Sequence, residues 1–140
     1  MIRGFAIKDL DAVMRIWLKS NIDTHHFVSE DYWYENAIAV KGQLQNAEIY
    51  VYEYDNEIVG FIGLQDNYLA GIFVDKKFRS FGVGKQLLNY VKEIHETLSL
   101  HVCRENTRAV NFYLREGFRI ISESLDEATG HVECWMSFTK

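Results

Sequence analysis

The sequence predicts a single α/β domain over residues 1–140, with one mixed sheet and four helices. Three observations lead there. Between residues 49 and 74, three short apolar runs are separated by the turn signals Asp55-Asn56 and Gln65-Asp66-Asn67, the pattern of an antiparallel meander. Residues 68–74, a helical stretch and residues 98–102 then read as strand, helix, strand, and a right-handed crossover makes those two strands parallel. Two amphipathic stretches precede the sheet, with apolar residues at helical spacing.

Taken in order, residues 2–7 read as a first strand and Asp9 as the N-cap of a helix over 10–19, where Leu10, Val13, Met14, Trp17 and Leu18 share a face. Residues 21–28 break that rhythm and are expected to be loop. Ser29 caps a second helix carrying Tyr32, Trp33, Ala37, Ile38 and Val40. Strands follow at 49–54, 57–64 and 68–74. Gly60, Gly63 and Gly71 inside them suggest bulges or close backbone approach. A long helix over 83–97 places Leu87, Leu88, Val91 and Ile94 on one side. Strand 98–102 comes next, then a helix over 108–116 capped by Thr107 and stopped by Gly117. Residues 118–125 and 131–138 close the chain as a hairpin across the polar turn 126–130.

Composition narrows the function classes. At 140 residues, with 48% hydrophobic and 25% charged residues, the chain suits a globular domain with a real core. A net charge of −5 argues against a nucleic-acid partner. It also makes the local cluster Lys76, Lys77, Arg79 and Lys85 stand out, as a positive spot suited to a small polyanion. The two cysteines, Cys103 and Cys134, lack metal-ligand spacing, so no metal site is expected and reduced thiols in a cytoplasmic protein are the default. No stretch is long and apolar enough to span a membrane, so no membrane partner is expected.

The most informative stretch is Val74-Asp75-Lys76-Lys77-Phe78-Arg79-Ser80-Phe81-Gly82-Val83-Gly84-Lys85. A strand ends, cations follow, and R-x-x-G-x-G leads into a helix. Glycines let the backbone approach an anion closely, and the free N–H groups of a helix start point at it. A Rossmann loop needs a third glycine, and a Walker loop needs Ser or Thr after the lysine, where Gln86 stands. The pyrophosphate of an acyl-coenzyme A fits better.

Later motifs add to this one. Ile72-Phe73-Val74, then R-x-x-G-x-G, then Asn106-x-x-Ala109-x-x-Phe112-Tyr113-x-x-x-Gly117-Phe118 resembles the GNAT superfamily of N-acetyltransferases, along nearly the entire chain. Met1-Ile2-Arg3, His25-x-Phe27, Tyr32-Trp33 and Trp135-Met136-Ser137 resemble a small group of bacterial acetyltransferases, at least one of them regarded as a protein-lysine acetyltransferase. The resemblance implies a GNAT fold in which the two parallel strands splay to leave a slot for acetyl-CoA. Ile72, Phe73 and Val74 would pair by backbone with the pantetheine arm, and an N–H there would polarise the thioester carbonyl. Arg79, Ser80, Phe81, Gly82, Val83, Gly84 and Lys85 would take the pyrophosphate, and Asn106 would bond the pantetheine.

Tyr113 matches the family tyrosine that protonates the departing thiolate, and a phenol of pKa about 10 can do so. Its other reading is a packing residue like Phe112 beside it. The attacking amine must also lose a proton. His101 stands where the branch acting on protein N-termini has a glutamate in a Leu-Glu-Val context. Here that context is Leu100-His101-Val102, and His101 is either the base or a structural histidine. The loop with His25, His26 and Phe27 would cover the acceptor, with Tyr32 beside it. The expected reaction is direct acetyl transfer to a primary amine, of a protein lysine or N-terminus. The alternatives are a small-molecule amine acetyltransferase and a non-catalytic acyl-CoA-binding module. Edge strands leave monomer and homodimer both open.

Overall fold

The computed structural model describes residues 1–24 and 28–140. It contains seven strands, β1 (Ile2–Gly4), β2 (Glu48–Tyr54), β3 (Glu57–Gln65), β4 (Tyr68–Val74), β5 (Thr97–Cys103), β6 (Arg119–Asp126) and β7 (His131–Thr139). Four α-helices accompany them, α1 (Leu10–Thr24), α2 (Glu30–Leu44), α3 (Val83–Ile94) and α4 (Thr107–Arg115). One sheet runs β1-β2-β3-β4-β5-β7-β6, so the closing hairpin inserts its second strand between β5 and β6.

Strand alternation builds two cores, one on each face. Phe61 and Val51 look toward α1 and α2, against Val13, Ile16 and Trp17. Ile62 and Leu64 look the other way, with Leu100 and Met136, against Leu87, Leu88 and Val91 of α3 and Tyr113 of α4. The meander is as expected: Asp55 and Asn56 both have positive φ, which matches the right-handed twist of a two-residue hairpin. A register shift at Gly63/Leu64 leaves Ala70 as the extra residue on β4.

β4 and β5 are parallel but pair only at Tyr68↔Ser99. Beyond that point the strands diverge. Ile72, Phe73 and Val74 keep their β3 partners, Ile62, Phe61 and Gly60. Their opposite edge has no ladder to β5.

Several boundaries differ from the sequence expectation, each for a local reason. β1 ends at Gly4 because the Ala6 N–H turns to Asp9 Oδ2 at 2.9 Å, which winds residues 7–9 into a 3-10 turn. Asp9 therefore closes that turn instead of capping α1. α1 continues to Thr24, through residues expected as loop. Asn21 is buried and its Nδ2 donates to the Trp17 carbonyl at 2.8 Å, so the helix satisfies a side chain that would otherwise favour a turn. α3 stops at Ile94, with extended His95 following. Asn106 caps α4, not Thr107: its Oδ1 accepts from the Ala109 N–H at 3.2 Å.

The N-terminus is held by one ion network. Arg3 Nη1 and Nη2 donate to the two oxygens of buried Asp9 at 2.8 and 3.0 Å, and Nε donates to Glu53 Oε1 at 2.7 Å. The Arg3 bonds hold the Asp9 carboxyl below the usual carboxylate range. Asp9→Ala removes two of the three carboxylate bonds of Arg3, which keeps Glu53, so it should cost about 1–3 kcal/mol in urea unfolding at neutral pH. Because the folded-state pKa is depressed, the network's stability is complete above the ordinary carboxylate pKa and is lost as pH falls below it. The wild-type and variant curves should therefore converge in acid. A constant gap down to pH 2 would show that the ion network is not the cause.

Candidate active site

The divergence of β4 and β5 opens a cleft of about 710 Å³ between the sheet's two cores. One wall is β4 from Leu69 to Val74 and the segment from Phe78 to Lys85. The other is Leu100 to Cys103 with Asn106, Arg108, Ala109, Phe112, Tyr113 and Glu133. Of the residues expected to hold acyl-CoA, Ile72, Phe73, Val74, Arg79, Ser80, Gly82, Val83, Gly84, Lys85 and Asn106 all line it. Phe81 does not, and its side chain is 72% exposed.

The cradle owes its shape to two left-handed residues. Gly82 has φ +80 and is the N-cap of α3, with no side chain capping the helix. Ser80 also has positive φ, 76, a conformation that costs a non-glycine residue of the order of 1 kcal/mol. Left-handed residues of this kind suit an anion nest, in which the Phe81 N–H bonds the Phe78 carbonyl at 3.4 Å and the first N–H groups of α3 are the donors left for a ligand. Gly84 differs. A Cβ there would meet Ile72 and Val74 only at ordinary contact distances, 3.7 and 3.8 Å. The packing of the protein alone does not require glycine at 84, and the bare backbone leaves the helix start open to a ligand. Arg79 and Lys85 border the nest, and among the described residues neither forms an ion pair. A polyanion fits this donor set.

On the opposite wall Tyr113 is 7% exposed, packed edge-on against Phe112 and Phe118. Among the described residues nothing hydrogen-bonds its hydroxyl, though the residue lines the cleft. Burial, with Tyr68 nearby, pushes the phenol well above its usual range, so it keeps its proton. Asn106 spends its Oδ1 on the cap of α4, which leaves its Nδ2 amide as the group to offer a ligand.

His101 faces the same cleft. Its Nδ1 shares a 2.9 Å hydrogen bond with the Tyr68 hydroxyl, and its ring stands edge-on to Trp135 at 4.5 Å, its partner in the β5·β7 register. Tyr68 was not visible as a site residue in the sequence, because a bond between residues 33 positions apart exists only once β4 and β5 are adjacent. Glu133, Arg108 and Arg115 were likewise missed; all three line the cleft. Glu133 is placed there by its register opposite Cys103. Burial, with Glu133, Asp126 and Glu105, pushes the Cys103 thiol up to about 11, so it is protonated at neutral pH and a poor nucleophile. Tyr32 does not line the cleft. It stacks edge-on to Trp33, and its phenol is pushed up by burial, then by Asp126, Glu133 and Cys103, which sets it near the far ends of β5 to β7. His25, His26 and Phe27 lie outside the described residues.

A splayed parallel pair with an anion nest at the following helix defines an acyl-CoA-dependent transferase. Sequence comparison places it more closely. The model of the acetyltransferase (GNAT) domain matches residues 20–138, and the chain belongs to that family. The peptidyl-lysine N-acetyltransferase YiaC of Escherichia coli is 34% identical over 131 residues, which cover 92% of this chain and 90% of that protein. The peptidyl-lysine N-acetyltransferase YjaB of Escherichia coli is 30% identical over 124 residues, 88% of this chain and 84% of its own. The solution structure of its apo form covers 99% of this chain and 96% of its own, with a TM-score of 0.86 at 26% identity. The PaiA N-acetyltransferase of Thermoplasma acidophilum, solved with coenzyme A, shares the fold, with a TM-score of 0.86 at 21% identity over 100% and 98% of the two chains. The protein is an N-acetyltransferase with acetyl-CoA as cosubstrate. No helix among the described residues is long and apolar enough to cross a membrane.

The Tyr68–His101 bond is directly testable. Tyr68→Phe should change the His101 Nδ1/Nε2 tautomer balance in ring ¹⁵N spectra, with a stability loss of about 1 kcal/mol. An unchanged ring signature would remove the phenol as the group that orients His101.

Proposed function

We propose that this protein acetylates the side-chain amine of protein lysines, by direct attack in a complex with both substrates. One observation carries the reading. A single cleft gathers an unpaired strand edge, an anion nest, a protonated buried tyrosine and an oriented histidine, and it opens between the two walls. The names of the relatives, peptidyl-lysine N-acetyltransferases, support the choice of acceptor.

Acetyl-CoA supplies an acyl thioester and a thiolate leaving group. In the proposed roles, the nest at Ser80 and residues 82–85 holds the pyrophosphate, with Arg79 and Lys85 neutralising it. The open edge of Ile72, Phe73 and Val74 pairs with the pantetheine arm, and one of its N–H groups stabilises the oxygen charge that develops at the carbonyl. Asn106 donates its amide to the arm. His101 takes the ammonium proton. For that role Nδ1–H donates to the Tyr68 oxygen, and Nε2 presents its lone pair to the amine. The freed nitrogen lone pair forms the C–N bond as the C–S bond breaks, and the second N–H proton is then lost to solvent. Tyr113 gives its proton to the sulfur and is restored from solvent. The charge balance is one acetyl-CoA plus one alkylammonium giving amide, free thiol and one proton.

The acceptor is tested with acetyl-CoA and a panel of lysine peptides, N-terminal peptides, free amino acids, polyamines and aminoglycosides, reading thiol release. Lysine peptides should show the highest kcat/KM, and a small amine that exceeds them would overturn the choice. Tyr113→Phe should lower kcat by about 100-fold or more, with acetyl-CoA affinity changed by no more than about twofold. Wild-type turnover in that variant would return Tyr113 to packing. Gly82→Asp forces a side chain into left-handed backbone and sets a negative charge at the nest, so calorimetric coenzyme A affinity should fall by about tenfold or more. Unchanged affinity would move the pyrophosphate elsewhere.

A further inference from the structure

The partly buried carboxylates of the sheet have partners, with one exception. Glu53 accepts from Arg3 Nε, Glu48 meets His95 Nε2 at 3.2 Å, and Asp126 accepts from the Thr129 hydroxyl and the Ala128 N–H. Glu133 forms no hydrogen bond or ion pair among the described residues, and its one favourable charge neighbour is His101. Its place on β7 sets it on the working face of the sheet. Cys134 and Met136 point into the core beneath α3, so Glu133 and Trp135 point the other way, opposite Cys103 and His101. The side chain is half-buried and lines the cleft, on the wall that also carries His101 and Tyr113. A half-buried carboxylate without a partner is unfavourable unless a ligand supplies one. The titratable groups that face it are Tyr32 from α2, Asp126 from the end of β6, and Cys103 and His101 from β5, of which only His101 can carry positive charge.

We propose that Glu133 is the specificity carboxylate of the acceptor site, which captures the ammonium form of the incoming amine as an ion pair before His101 deprotonates it. The inference rests on the cleft being the acetyl-transfer site. It restricts the acceptor class to amines that are cationic in solution, whether carried on a peptide or on a polyamine. Two features of the arrangement favour binding over chemistry as the role. The Tyr68 hydroxyl orients the ring of His101, and no such bond orients the Glu133 carboxylate among the described residues. The charge of Asp126 also raises the cost of an empty Glu133 carboxylate, a cost that a bound cation removes.

The test compares wild type, Glu133→Gln and Glu133→Asp with a lysine peptide as acceptor, a norleucine peptide of the same sequence as a neutral competitive inhibitor, and spermidine as a second cationic acceptor. Glutamine keeps the size and removes the charge. In Glu133→Gln the KM for the lysine peptide should rise about tenfold, with the acetyl-CoA KM and the norleucine-peptide inhibition constant unchanged. Glu133→Asp should recover part of the loss. An unchanged lysine KM overturns the proposal. So does an equal weakening of the norleucine peptide, which assigns Glu133 to packing. If wild type acetylates spermidine but no peptide, the lysine reading above fails while the spermidine KM still decides the role of Glu133.

Discussion

Everything at the working end of this molecule depends on two parallel strands that pair once and then part. Tyr68↔Ser99 is the whole ladder between β4 and β5. Had the pairing continued, the N–H and C=O groups of residues 72–74 would be consumed within the sheet, and the cleft would be closed by ordinary cross-strand packing. The register shift beside Gly71 marks where β4 turns away. Gly71 is needed there, because a Cβ would stand 2.5 Å from the ring of Phe73, which folds back over it to stack on Phe61 at 5.0 Å. One glycine thus lets β4 stay anchored to the α1 and α2 core while its other edge is left open. The cost of that open edge is offset by the flanking cores, which continue on both faces of the sheet.

The same divergence sorts the chemistry onto two walls. The β4 side is backbone and cations: an open strand edge, a left-handed nest, Arg79 and Lys85. The β5 side is side chains that exchange or hold protons: Tyr113, His101, Cys103 and Glu133, with Tyr68 at the start of β4 bonded to His101. Burial keeps protons on Tyr113 and on Cys103 at neutral pH. For Tyr113 this suits an acid held ready for a developing thiolate. For Cys103 it disfavours a covalent acyl intermediate, since the thiol and not the thiolate is the resident form. The electrostatics of the β5 wall therefore agree with direct attack by the amine, which is the simpler of the two routes.

Much of this was legible in the sequence, and the rest was hidden for identifiable reasons. The meander, the crossover and the R-x-x-G-x-G cradle are local patterns, and local patterns survive folding. Asp55-Asn56 specifies its own turn, and Gly82 its own left-handed cap. Errors came where two local preferences competed. Asn21 reads as a helix breaker until its amide finds the Trp17 carbonyl, and Thr107 reads as the cap of α4 until the Asn106 side-chain oxygen takes the Ala109 N–H. Ser80 was read as an ordinary nest residue, since nothing in a serine announces positive φ. Tyr68 and Glu133 were invisible for a deeper reason. Their positions in the cleft depend on which strands become neighbours, and a chain ending in a hairpin gives no local sign that β7, and not β6, lies against β5.

That insertion of β7 decides which side chains face the cleft. With β6 beside β5, the residue opposite Cys103 would come from a strand exposed along nearly its full length. With β7 in that place, Glu133 and Trp135 stand opposite Cys103 and His101, on a strand supported from both sides and buried at Cys134 and Met136. A group that positions a substrate needs such support, because its rotamers are limited by packing and its backbone by two ladders. The topology thus places the strand paired on both sides against the cleft and leaves the exposed edge strand to solvent. The side chains facing the cleft are thus a property of the β5·β7 register: a one-residue shift of β7 against β5 would turn Glu133 toward the core and bring Cys134 into the cleft.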